Sequence, residues 1–134
     1  LLSNGIKRTF CIMGGEPLHP KNIELTTSLV SYVKEKIEDV KIYLWTGFLY
    51  ENIADLSVLK DIDVLIDGPY IHSLRDVTLP MRGSSNQRVI DVKKTLEVGE
   101  VVLIDCWKDW YLMSKKEKES KENKKYKKGN KKEK

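Results

Sequence analysis

The sequence predicts an α/β fold built on a parallel sheet, and three observations predict it. Short apolar runs alternate with segments whose apolar residues recur every three to four positions. The first three runs each stop at a glycine: Gly14, Gly47 and Gly68. The connections are short, and strand–helix–strand units joined in this way place their strands parallel.

Taken in order, "RTFCIM" reads as a short buried strand. "PKNIELTTSLVSYVKEKI" reads as a helix with Leu25, Leu29, Tyr32 or Val33, and Ile37 on one face. Pro20 suits its first position, where a missing N–H costs nothing. "VKIYLWT" is the second strand and "LYENIADLSVLK" a shorter helical pattern. "IDVLID" is the third strand, and "RVIDV" and "EVVLID" are two further strand candidates. The first three strands are almost continuously apolar, which predicts a sheet covered on both faces. Between Gly68 and Gln87 the chain is long, polar and broken by Pro69, Pro80 and Gly83. A segment of that kind is functional or disordered.

The 134 residues are enough for one modest domain. We expect that domain in residues 1–112 and a Lys-rich disordered tail in residues 113–134. Charge divides in the same way. Residues 115–134 hold 11 Lys and 4 Glu, while the other 114 residues hold 13 basic and 16 acidic side chains. The body is therefore mildly acidic, and a nucleic-acid role would rest on the tail, where interleaved Glu residues weaken it. No apolar run reaches the length of a membrane span. Two distant cysteines, Cys11 and Cys106, make neither a disulfide framework nor a metal-ligand spacing. The default setting is reducing and cytoplasmic. No Gly-x-x-x-x-Gly-Lys loop and no Ser/His/Asp arrangement is visible.

In a parallel α/β fold, ligands bind at the carboxyl ends of the strands. Gly14 and Gly15 stand at such an end, where residues without Cβ allow tight turns and close ligand approach. Glu16 then offers a carboxylate suited to an ammonium group, and Pro17 stiffens the turn. The plainer reading is a strand-to-helix turn with a solvated Glu16. Thr46 ends the second strand, either to bond a ribose or carboxylate or as a satisfied turn hydroxyl. Asp67 ends the third, either facing a ligand or capping the next turn. Arg75, Asp76, Arg82, Ser84, Ser85, Asn86, Gln87 and Arg88 crowd the long loop. They suit a charged ligand or a partner backbone, or simply solvent. His19 reads as a local cap at a helix start and His72 as an exposed loop residue. Trp107, Trp110 and Tyr111 close the domain by packing, or dock a partner.

Four segments in this order, "GGEPLHPKN", "IYLWTGF", "DVLIDGPY" and "LRDVTLPMRGSSNQRVIDV", resemble the activating proteins of anaerobic ribonucleoside-triphosphate reductases, which are radical S-adenosylmethionine enzymes. The resemblance runs from about Lys7 to Leu103. It implies a partial (β/α) barrel and a [4Fe-4S] cluster held by three closely spaced cysteines. It further implies reductive cleavage of S-adenosylmethionine and a glycyl radical on the large subunit of the reductase. The electron would come from a donor such as flavodoxin. Gly14, Gly15 and Glu16 would hold the amino end of S-adenosylmethionine, with Thr46 and Asp67 on the same rim. Arg82, Ser84, Ser85 and Asn86 would form a loop facing substrate or partner. The cysteine triad does not occur here, so the chain is expected to lack an N-terminal unit, to bind no cluster by itself and to be inactive alone. The alternative is a docking remnant without chemistry. Loss of a neighbouring unit would bare the edge of the first strand and favour self-association.

Overall fold

The computed structural model describes residues 9–105. Chain contacts divide the protein into Leu1–Ile104 and Asp105–Lys134, and the sheet with its helices belongs to the first unit. Cys106, the aromatic residues after it and the Lys-rich tail lie outside the described residues.

A four-stranded sheet carries the fold, in the order β1 (Thr9–Ile12), β2 (Lys41–Trp45), β3 (Val64–Asp67) and β4 (Arg88–Asp91). The first three strands are parallel, and β4 is antiparallel to β3. Helix α1 (Ile23–Lys36) joins β1 to β2. The second crossover is less regular: one turn of α2 (Tyr50–Ile53), then a 3-10 turn at Ser57–Asp61. Ile53, Val58 and Leu59 from these turns are buried in the core.

Strand register sorts the two faces. Phe10 lies beside Ile42, Ile12 beside Leu44, Leu44 beside Leu65 and Leu65 beside Ile90. This face meets Val30 and Val33 of α1 in one apolar cluster. Each fully buried aliphatic side chain there contributes about 1.5–3 kcal/mol. The opposite face grades across the sheet. Cys11 on β1 is exposed, Tyr43 and Trp45 on β2 are half-buried, and Val64, Ile66 and Val89 on β3 and β4 are buried. The expected cover on both faces therefore holds for β3 alone. β1 and β2 alternate, and Cys11 is not in a buried strand.

Helix α1 keeps Val33 and Ile37 of the expected stripe in or against the core, but buries Thr26 and Val30 in place of Leu25 and Leu29. Leu25, Leu29 and Tyr32 are 73%, 40% and 59% exposed. The buried residues are Thr26, Val30 and Val33, one position further on. Both stripes have three-to-four spacing. The choice turns on Thr26, which looks polar in sequence but whose hydroxyl donates to the Pro17 carbonyl at 2.8 Å. A satisfied hydroxyl can be buried at little cost. Pro20 is not the first helical residue. It lies in a turn closed by His19 N–H to Glu16 O and Ile23 N–H to His19 O, and α1 starts at Ile23.

Two further expectations change near the end of the unit. β4 stops at Asp91 because its side chain accepts from Lys94 N–H and starts a helix, α3 (Val92–Val98), which the sequence reading missed. Gly99 ends that helix in the left-handed region, at φ 78°. "EVVLID" is not a full strand. Residues 102–104 run antiparallel beside β4 through Asp91 N–H to Val102 O and Ile104 N–H to Val89 O, with a single bridge at Leu103. The long segment after Gly68 is ordered. It contains a 3-10 turn at His72–Leu74 and a bridge between Arg75 and Ser84.

Candidate functional site

The carboxyl ends of β1, β2 and β3 form one rim, followed by Gly14–Gly15, Thr46–Gly47 and Gly68 respectively. Gly14 and Gly15 take φ of 75° and 45°, a region that disfavours any side chain. A Cβ built on either would meet nothing within 4 Å among the described residues, which leave the space over this corner open. The turn after it is fixed from Glu16 onward. The Glu16 carbonyl accepts from His19 N–H and from Asn22 Nδ2.

The half-buried Glu16 carboxylate ties the first strand end to the second. Oε1 accepts from the Thr46 hydroxyl at 2.6 Å and from Gly47 N–H at 2.7 Å. Oε2 accepts from Leu18 N–H at 3.1 Å. All three donors are neutral. Thr46 is buried, and its oxygen in turn accepts from Phe48 N–H at 3.1 Å. An ionised carboxylate offers about four acceptor positions. One position on Glu16 thus remains, and among the described residues no ion pair balances its negative charge.

Asp67 sits in a different environment. It is fully buried, and its two oxygens accept from Arg88 Nε at 3.0 Å and Nη2 at 2.5 Å. Oδ2 also accepts from Tyr50 N–H at 2.8 Å, at the start of α2. The same guanidinium reaches Glu51 on α2, with bonds of 3.0 and 2.8 Å. Hydrogen bonds to Asp67 and then to Glu51 hold the Arg88 charge even more firmly than usual. The Arg88 hydrogen bond in turn holds the Glu51 carboxyl below its ordinary range. Strand β3, strand β4 and α2 are joined by this one cluster.

The loop from Gly68 to Gln87 is held against the rim by side-chain bonds to backbone. Gln87 is its hub. Its Oε1 accepts from Gly83 N–H and Ser84 N–H, and its Nε2 donates to Gly68 O. Its own carbonyl accepts from Arg82 Nη1. Asn86 Nδ2 donates to Pro69 O at 2.7 Å, and Trp45 Nε1 on β2 donates to Met81 O at 2.8 Å. Met81 has φ 63°, unusual for a residue with a long side chain. Ser84 is buried and accepts from Ile71 N–H, while Ser85 is exposed. Arg82 Nε and Asn86 Oδ1 are buried with no hydrogen-bond partner among the described residues. Asp76 is held below its ordinary range by hydrogen bonds from Thr78.

Gly14, Gly15, Glu16 and Thr46 are thus brought together at one corner. Asp67 stands under the rim in its own ion cluster, and Arg82 to Asn86 form a separate part of the loop. Both histidines are exposed; His19 Nδ1 caps Lys21 N–H and His72 meets the Tyr70 hydroxyl. Sequence reading named Gln87 and Arg88 only as possible ligand contacts, and it missed Glu51 and the indole bond of Trp45. Nothing local in the sequence marks either, because their partners lie 37 and 36 residues away. A cavity of about 510 Å³ lies at the other end of the sheet, lined by Lys34, Lys41, Lys93, Asp39 and Asp63. Its groups are largely engaged: Lys41 with Asp63, and Lys93 with the Lys60 carbonyl. Among the described residues no cluster of His, Cys, Asp or Glu could hold a metal ion, and no helix could cross a membrane.

Comparison with known proteins points to one group. The chain is 43% identical over 88 residues to the anaerobic ribonucleoside-triphosphate reductase-activating protein of Enterobacteria phage T4, covering 66% of this chain and 56% of the relative. It is 40% identical over 83 residues to the protein of that name from Vibrio cholerae, covering 60% and 54%. For the Escherichia coli K12 protein the identity is 39% over 80 residues, covering 58% and 52%. The chain spans about half the length of these relatives. No solved structure matches. The model of the 4Fe-4S single cluster domain family matches residues 2–90, and the chain belongs to that family.

Proposed function

We propose that this chain is the S-adenosylmethionine-binding body of a protein that activates an anaerobic ribonucleoside-triphosphate reductase. Activation in this reading means placing a glycyl radical on the large subunit of the reductase by reductive cleavage of S-adenosylmethionine. The sheet would be part of a partial barrel, with the graded face of β1 and β2 turned to the interior. The kinship with named activating proteins supports the partner.

One observation carries the cofactor reading: an open Gly14–Gly15 corner beside a carboxylate whose charge is not balanced. Gly14 and Gly15 leave room for the methionyl head to approach backbone. Glu16 keeps an acceptor position for its ammonium group. An ion pair desolvated at such a corner is stronger than one in open water. Asp67 serves beneath the rim, holding α2 and β4 in place. Arg82, Ser84, Ser85 and Asn86 are proposed to form the loop that faces the reductase, with exposed Ser85 at its surface and buried Ser84 bracing it through Ile71 N–H.

The family's iron–sulfur cluster does not fit the residues of this chain. Such clusters are held by several thiolates. This sequence has two cysteines, and Cys11, exposed on β1, is the one among the described residues. The residues present are suited to binding and orienting the cofactor, and the reducing step falls outside what they can supply.

Titration of S-adenosylmethionine into the chain, followed by amide NMR, tests the reading. Shifts are expected at Gly14, Gly15, Glu16 and Gly47. Saturable shifts confined to another part of the sheet, or no binding at millimolar ligand, would overturn it. A longer form carrying three closely spaced cysteines is expected to cleave the cofactor and to raise a glycyl-radical signal on the reductase by electron paramagnetic resonance.

A further inference from the structure

We infer that Thr46 is a positioning residue that aims Glu16 at the ligand's ammonium group and does not itself touch the ligand. This rests on the S-adenosylmethionine reading and deepens it. The sequence alone made Thr46 a candidate contact for a ribose or carboxylate. The structure leaves its hydroxyl no freedom for that. A hydroxyl has one proton, and this one is directed at Glu16 Oε1 over 2.6 Å. Of its two acceptor lone pairs one takes Phe48 N–H, and burial of the residue keeps a ribose from the other. The side chain is buried beneath the carboxylate it serves.

The consequence falls on Glu16. A Glu side chain has three rotatable bonds and would sample many positions at an exposed turn. Here Thr46 and Gly47 fix Oε1 from the β2 side, and Leu18 fixes Oε2 from the α1 side. The remaining acceptor position, on Oε2, is therefore preset before any ligand arrives. Presetting a charged partner strengthens binding by removing the cost of ordering it. None of the three donors is charged, so Glu16 keeps its full attraction for a cation.

The test compares two ligands on the full chain: S-adenosylmethionine, and 5′-methylthioadenosine, which has the nucleoside without the amino-acid head. Thr46→Val keeps the shape and removes the donor. It is expected to weaken S-adenosylmethionine by about tenfold, the size of one charge-assisted hydrogen bond. Methylthioadenosine should change by less than about twofold, since it offers no ammonium group. Thr46→Ser, which restores the hydroxyl, should recover binding to within about threefold of wild type. The double variant Glu16→Gln with Thr46→Val should bind no worse than Glu16→Gln alone, because the two residues act as one unit. Should Thr46→Val fail to fold, Thr46→Cys, with its weaker donor, takes its place and should show a smaller loss with the same selectivity.

Equal loss of both ligands would overturn the inference and return Thr46 to direct contact. So would additive losses in the double variant, or an unchanged affinity for S-adenosylmethionine in Thr46→Val. Failure of the wild-type chain to bind S-adenosylmethionine at all would sink the parent reading, a result distinct from these.

Discussion

Glu16 and Asp67 stand at the ends of two strands in the same sheet, yet their surroundings make them opposites. Asp67 is fully buried and faces a guanidinium that forks across both its oxygens. Glu16 is half-buried at an open glycine corner and is held by an alcohol and two amides. Among the described residues, one carboxylate has its charge balanced and the other does not. Strand-end acids are thus sorted by the charge of what holds them. A balanced acid is scaffold. An acid held only by neutral donors keeps its attraction for an incoming cation.

The largest expected effect comes from breaking the balanced side. Arg88→Ala leaves Asp67 as a buried unpaired charge and frees Glu51 from its tie to β4. Removing one member of a buried pair costs about 3–5 kcal/mol, and the partial exposure of Arg88 argues for the lower end. Urea unfolding would measure it. Asp67→Leu combined with Arg88→Met is expected to recover most of that loss, because two apolar groups strand no charge. If the double variant were as unstable as the single one, the cluster would do more than hold the scaffold.

The glycine corner should respond in the reverse sense, with little stability at stake and much binding. Gly15→Ala meets no neighbouring atom of the described residues and is strained there only by its φ of 45°. The expected cost is about 1 kcal/mol of stability. The new methyl group stands where the ligand is proposed to approach, so S-adenosylmethionine affinity should fall by about tenfold or more. Calorimetric titration beside thermal unfolding separates the two effects. A variant that loses stability and keeps its affinity would remove the glycines from the site.

Much of this contrast was legible in the sequence and some was not, for physical reasons. Three strands ending in glycine are a local signal, so three parallel strands and their shared rim could be read directly. The corner residues Gly14, Gly15, Glu16 and Thr46 did come together. The start of the buried stripe of α1 was misread because Thr26 is polar until its hydroxyl finds Pro17 O, a partner nine residues away. The same limit applies to Asp67. Its guanidinium is 21 residues distant, and nothing local announces that the two will meet. The loop from Gly68 to Gln87 looked unstructured because its order comes from side chains bonding backbone, which leaves no apolar periodicity to detect. Helix α3 was hidden by its length of seven residues, with only Val92 and Thr95 buried.

The smallest effect is the pH dependence of the balanced side, and its sign is fixed by the geometry. Arg88 is charged at every pH the fold survives, so its tie to Glu51 is lost when Glu51 takes up a proton. Its carboxyl is held below the ordinary value of 4.5 by the Arg88 hydrogen bond. A depressed acid stabilises the fold above its unfolded pKa, and that contribution is lost as pH falls through the folded pKa. Wild type should therefore exceed Glu51→Gln in stability by a constant margin above about pH 5, and the margin should shrink below about 4.5. The margin itself should be small, since Glu51 is exposed and water screens its attraction. Added salt should reduce it further. A margin that grew on acidification would mean that Glu51 opposes the pair, and that Arg88 belongs to Asp67 alone.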